Sequence, residues 1–184
     1  REGNWKAWFR SGQMWYEGSY LTNERTGLWT WWYEDGKKRV EMNIENGPYQ
    51  TWFPDGKTET LGQMKDKMKS GLWKFYHENG KIKEESFFES DMLEGLSKRF
   101  FANGNKEFEG YFQKNMLNGY AQWWFENGNA EMKGKSINDL QDSIWVFYHL
   151  NGNKGSEGWF IEGVQHGMWT YYYVSGEKLR SGMM

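Results

Sequence analysis

The chain has no cysteine, only two prolines and, across 184 residues, only 19 Leu, Ile and Val side chains. Without cysteine there is no disulfide framework and no thiol nucleophile. No run approaches the roughly 18 apolar residues of a membrane-spanning helix. The formal net charge is −2, from 23 basic and 25 acidic residues interspersed along the chain, which leaves no electrostatic footprint for nucleic acid. Leu, Ile, Val and Phe together number 31, a level at which disorder is ordinarily considered. Disorder is the weaker reading, because net charge is small and 36 aromatic residues (13 Trp, 11 Tyr, 12 Phe) supply the surface that aliphatics usually bury. The core this chain builds is aromatic.

Its 23 glycines, in a chain this poor in proline, have to be explained as backbone geometry. A motif Gly-x-[Trp/Tyr]-x-x-[aromatic]-[aromatic]-x-x-Gly starts at Gly3, Gly27, Gly47, Gly71, Gly95, Gly119, Ser143 and Gly167. The copies are 24 residues apart, except for 20 between Gly27 and Gly47. With the anchor as position 0, position 9 is glycine in all eight copies and position 15 in six, so the pattern absorbs 21 of the 23 glycines. Self-similarity at a fixed period is the mark of a repeat array.

Six copies carry Asp-Gly or Asn-Gly at positions 8 and 9, from Asp35-Gly36 to Asn151-Gly152. This pair predicts a two-residue type I′ hairpin turn in each repeat. A longer turn is expected between repeats, as at Lys65–Ser70, with Asn46-Gly47 as a tight turn in the short second repeat. In the register that follows, position 2 faces 15, 3 faces 14, 4 faces 13 and 5 faces 12. Position-2 rings such as Trp5, Trp29 and Trp73 then lie over the bare position-15 glycine across the strand. The pairs Lys6 with Glu17, Lys74 with Glu85 and Lys98 with Glu109 fit this register.

Strand alternation sorts the faces. Positions 2, 4, 6 and 17 are largely aromatic or aliphatic and form the packed face. Positions 3, 5, 12 and 14 read as charged, apart from one aromatic row at position 5: Trp8, Trp32, Trp52, Tyr76, Phe100, Trp124, Tyr148 and Tyr172. Two readings of this row stand side by side. Its rings stack on one another and on the stems of Arg39 and Lys83, or they form a partner-binding surface, since Trp and Tyr give large contact area at small entropy cost.

The fold these observations predict is all-β: an elongated, single-layer antiparallel β-meander solenoid of about eight β-hairpin repeats in one domain spanning residues 1–184. Each hairpin buries its rings against the next, so stability is close to a nearest-neighbour sum. The last copy breaks off at Arg180–Met184, which leads to the expectation of a longer array or of end-to-end self-association.

The run Gly71-Leu-Trp-Lys-Phe-Tyr-His-Glu-Asn-Gly80, with Glu109-Gly-Tyr-Phe112 and Glu157-Gly-Trp-Phe160, resembles the variant MORN repeats of the bacterial YwqK-family antitoxin group. The resemblance covers all eight copies. It implies a scaffold or protein-binding surface, with toxin neutralisation as its specific form. MORN proteins are also associated with membrane lipids, but Met68, Met92, Met116, Leu140 and Val164 occupy position 21, where relatives often carry basic residues, and this argues against lipid. Those apolar residues read as filler at the turn end or as a sticky edge. A second resemblance, to the hairpin repeats of choline- and glucan-binding cell-wall proteins, gives a glycan-binding alternative, although the usual Gly-Trp opening is missing.

Catalytic or cofactor chemistry has little support. His77 and His149 fill the position-6 ring slot, and only His166 stands apart. Glu17, Glu41, Glu85, Glu109 and Glu157 recur once per repeat at position 14 and read as ladder charges. No nucleophile-and-base arrangement, phosphate loop, metal site or calcium loop is recognisable. The expectation is a non-enzymatic protein-binding repeat module that needs no cofactor.

Overall fold

The computed structural model describes residues 1–184 and is built of strands alone. The chain falls into two compact units, Arg1–Met92 and Leu93–Met184. The first contains β1 (Gly3–Trp8), β2 (Met14–Leu21), β3 (Glu24–Trp32), β4 (Lys38–Asn43), β5 (Gly47–Trp52), β6 (Thr58–Lys65), β7 (Met68–Tyr76) and β8 (Ile82–Glu89). From the boundary onward follow β9 (Met92–Phe100), β10 (Lys106–Gln113), β11 (Met116–Trp124), β12 (Ala130–Ile137), β13 (Leu140–Tyr148), β14 (Lys154–Ile161), β15 (Val164–Tyr172) and β16 (Lys178–Met183). Within each unit every strand pairs antiparallel with the next one in the chain, the β-meander expected of hairpin repeats.

The two kinds of turn are exchanged relative to the expectation. At Asp35-Gly36 only the glycine is left-handed, with φ 87°. The Gly36 amide donates to the Tyr33 carbonyl at 3.0 Å, and Tyr33 N–H donates to the Lys37 carbonyl at 2.9 Å. This is a type I turn followed by a left-handed glycine. The Asp35 carboxylate accepts the Lys37 N–H at 3.0 Å, and the Asx residue of five further copies makes the same bond. That local bond favours the right-handed turn over the type I′ alternative. The type I′ turns lie between repeats instead: Thr22-Asn23, Asp66-Lys67, Lys114-Asn115 and Asn138-Asp139 have φ between 50° and 68° at both residues. In the short second repeat β4 and β5 are joined by Ile44–Asn46, and Asn46 is not left-handed.

The pairings 2/15, 3/14 and 4/13 hold, as in Trp5↔Gly18, Lys6↔Glu17 and Ala7↔Tyr16. Next to the turn a bulge shifts position 5 onto position 11, giving Trp8↔Met14 and Trp32↔Lys38. Position 12 is the extra, bulged residue. Such a residue shares its neighbour's side of the sheet, so Arg39 lies beside Val40 with its guanidinium 5.9 Å from the Tyr33 ring, away from the position-5 row.

Trp29, Trp73, Trp145 and Trp169 are at most 2 % exposed and centre the core. Each covers the glycine of the preceding repeat, not the one across its own hairpin. A Cβ on Gly18, Gly62, Gly134 or Gly158 would come within 2.1–2.3 Å of the indole of Trp29, Trp73, Trp145 or Trp169. Gly182, with no later ring in the chain, has nothing within 4 Å. Three of these indoles also donate Nε1–H to a carbonyl of the preceding repeat, those of Ser19, Lys135 and Trp159, at 2.9–3.2 Å. Neighbouring rings complete the packing: Tyr16, Tyr20 and Trp31 around Trp29, and Phe160 between Trp145 and Trp169.

Further cross-repeat bonds tie the long-turn edge together, with different chemistry in the two units. In the first, Lys37 and Lys57 reach the carbonyls of Pro54 and Glu78 at 2.9–3.0 Å. In the second, the amides of Asn105, Asn129 and Asn153 reach Glu126, Leu150 and Val174 at 2.8–3.0 Å.

Candidate protein-binding face

Alternation along the strands leaves positions 1, 3, 5, 14 and 16 on the face opposite the buried tryptophans. The position-5 residues stand at the same place in each repeat, one per two strands. Strand spacing puts successive rings about 10 Å apart. No ring contact joins Trp8, Trp32, Trp52 and Tyr76 in the first unit, or Trp124, Tyr148 and Tyr172 in the second. In three intervals a lysine of the preceding repeat lies against the ring. Lys38 lies 5.9 Å from the Trp52 ring, Lys106 5.3 Å from Trp124 and Lys133 5.6 Å from Tyr148. Trp8 is 56 % exposed, and the other seven rings are half-buried.

The glutamates of position 14 on this face are paired. All five position-14 glutamates bind a lysine: Glu17 with Lys6, Glu41 with Lys38, Glu85 with Lys74, Glu109 with Lys106 and Glu157 with Lys154. Glu109 takes Lys106 at 2.7 Å rather than Lys98, its neighbour across β9. Glu157 also accepts the Tyr172 hydroxyl at 2.6 Å. Lys154 first and then Tyr172 hold its carboxyl below the usual carboxylate range, and the same bond raises the Tyr172 hydroxyl.

A second apolar stripe, at positions 1 and 16, lies on the same face. In the second unit it contains Tyr111, Tyr120, the cross-strand pair Ile144↔Trp159, and Met168, each about half exposed. In the first unit Leu72 pairs with Phe87, both about half exposed. A shallow groove of about 280 Å³, lined by Pro48, Leu61, Leu72 and Lys74 among others, runs beside this pair. The expectation of a face that is charged outside position 5 therefore misses this stripe. Its residue type changes from copy to copy, and the usable signal was parity, since each member is next to a buried position-2 or position-15 residue. At the turns between repeats, Met92, Met116, Leu140 and Val164 are exposed, Val164 to 68 %, so they are not buried filler, whereas Met68 is half-buried.

His77 and His149 sit as expected in ring slots, with a polar addition at His149. His149 Nε2 lies 3.1 Å from the Tyr172 carbonyl, in the place where the Tyr33 hydroxyl donates to the Trp52 carbonyl at 2.8 Å.

Among curated proteins no match was found. The family model of the MORN repeat variant matches residues 1–21, 25–46, 69–90 and 93–114. Each match begins two residues before an anchor glycine and runs through both strands of the long-turn hairpin, so these four segments carry MORN-type repeats within an all-β, antiparallel hairpin array.

Proposed function

We propose that this chain is a non-enzymatic protein-binding repeat module that uses the face opposite its tryptophan core. The observation that carries the reading is the half-exposed stripe of Tyr111, Tyr120, Ile144, Trp159 and Met168, which runs alongside the position-5 rings. Aromatic and aliphatic groups held on rigid strands release water favourably and lose little conformational entropy on contact. Toxin neutralisation is the specific form of this function, and the partner is then the toxin polypeptide.

The test is to cross-link the chain in an extract of its source cells, identify the product by mass spectrometry and purify it. Its affinity is then measured for the wild type, for Ile144→Ser/Trp159→Ser and for Trp32→Ser/Trp52→Ser/Trp124→Ser. The expected outcome is a loss of at least about tenfold in both variants with unchanged circular dichroism. Undiminished binding in both overturns the assignment. Saccharide-dependent quenching of tryptophan fluorescence turns the reading towards glycan.

A further inference from the structure

The tryptophan-bearing face of the first unit carries cations of a different kind from those on the face above. The Arg25 guanidinium lies 4.9 Å from the Trp29 ring and 5.5 Å from Trp31. The Lys69 ammonium lies 4.8 Å from Trp73 and 5.0 Å from Phe88. Neither these two nor Arg39 has a carboxylate within ion-pair distance, whereas every position-14 glutamate on the other face is paired. Carboxylates on this side are engaged elsewhere or act on the tyrosines: Glu24 pairs with Lys67, Glu84 accepts the Ser86 hydroxyl at 2.6 Å, and burial together with the charge of Glu59 raises the Tyr33 and Tyr49 hydroxyls.

Arg25 and Arg39 meet at a cavity of about 290 Å³ lined also by Trp31, Val40, Met42 and Tyr49. Its origin lies in the sequence. At the junction of the second and third repeats, position 15 is Met42 instead of glycine and the following position 2 is Tyr49 instead of tryptophan. The indole-on-glycine contact that fills the junctions at Gly18 and Gly62 is therefore missing here. Arg25 also lines a second, more open cleft with Arg1, Tyr20 and the Glu24–Lys67 ion pair, beside the shortened turn at Ile44–Asn46.

We propose that this cavity binds a carboxylate of an acidic peptide segment, an Asp or Glu next to an apolar or aromatic residue, on another protein. The Arg25 guanidinium also lies beside the Tyr20 hydroxyl, whose pKa it lowers, so the two-pronged bond to carboxylate falls to the Arg39 fork, with the remaining Arg25 N–H groups beside it. Trp31, Val40, Met42 and Tyr49 supply an apolar wall for the adjoining side chain. The cavity takes one or two side chains, and the cations form a local cluster in a chain of net charge −2, which favours a peptide over a nucleic-acid backbone. The site is on the tryptophan-bearing face of the first unit and does not depend on the proposed partner surface.

The probe is acetyl-Gly-Glu-Phe-Glu-Gly-amide, titrated into the full chain and followed by tryptophan fluorescence. The matched Gln-Phe-Gln peptide, inorganic phosphate and oligothymidine serve as the other arms. The expected result is saturable binding of the acidic peptide alone, weakened at least about tenfold by Arg25→Gln and by Arg39→Gln and unchanged by Arg180→Gln. Arg39→Lys keeps the charge but not the fork, so reduced affinity with an unchanged melting curve identifies two-pronged recognition. The proposal is overturned if the acidic peptide does not bind, if the Gln peptide binds equally, or if the double variant Arg25→Gln/Arg39→Gln binds like wild type. Displacement of the peptide by equimolar phosphate, or tighter binding of oligothymidine, likewise overturns it.

Discussion

The indole of Trp73 rests on the backbone of Gly62, so close that a methyl group on the glycine would stand 2.2 Å from the ring. The two residues belong to successive repeats and lie on adjacent strands β6 and β7. Gly62→Ala forces either the tryptophan or the strand to move, and the expected cost is about 2 kcal/mol or more, in the range of core overpacking. Gly182→Ala, where the space is empty, is expected to stay within about 0.5 kcal/mol. Urea unfolding of the two variants decides the matter, and equal losses would refute the assignment of the ring to the glycine.

Tryptophans at positions 2 and 5 should separate sharply. Trp145 is 2 % exposed, covers Gly134 and donates to the Lys135 carbonyl at 2.9 Å. Trp145→Ala is therefore expected to cost about 3–5 kcal/mol. Trp8, more than half exposed, is expected to cost under about 1 kcal/mol when changed to alanine. Denaturant midpoints at matched slope give the comparison.

The anchor position supplies a stabilising change. Ser143 has φ 63°, in the left-handed region that the anchor glycines Gly27 and Gly167 occupy at 66° and 69°. Its hydroxyl donates to Asp142 at 2.7 Å, a partly compensating bond on a half-exposed site. Ser143→Gly relieves a conformational cost of about 1 kcal/mol and is expected to stabilise the chain by about 0.5–1 kcal/mol. A lowered melting temperature would contradict this.

Acid should weaken the second unit through Glu157. Its carboxyl is held below the usual range by Lys154 and Tyr172, so its contribution is complete above the unfolded-state value and is lost as pH falls through the folded one. Thermal unfolding followed from neutral pH into the acid range should show this loss in the wild type and a shallower slope in Glu157→Gln. Identical slopes would mean that the Lys154–Glu157–Tyr172 cluster carries no linked stability.

Repeat number, strand pairing and the aromatic core were legible in the sequence because they are encoded by residue type at a fixed period. Which tryptophan covers which glycine was not. Gly18 has Trp5 as its partner across one strand and Trp29 on the strand beyond, and periodicity does not record which ring leans over it. The turn types are not legible for a related reason: Asn-Gly suits both a type I′ turn and a right-handed turn ending in a left-handed glycine, and the Asx side-chain bond favours the second. The bulge beside these turns places Arg39 on the face opposite the one expected, where it lines the cavity beside Tyr49. The stripe through Ile144 and Trp159 was hidden because its members share exposure but not residue type.

The position of the indole also shifts the frame in which the array is cut into modules. Gly134 and Trp145 are both contained in the hairpin of β12 and β13, closed by the two-residue turn Asn138-Asp139. The sequence motif, by contrast, starts at an anchor glycine and assigns that pair to two different copies. A designer who adds or deletes one period should therefore splice within the long turns near the position-9 glycines, so that every glycine travels with the ring that covers it.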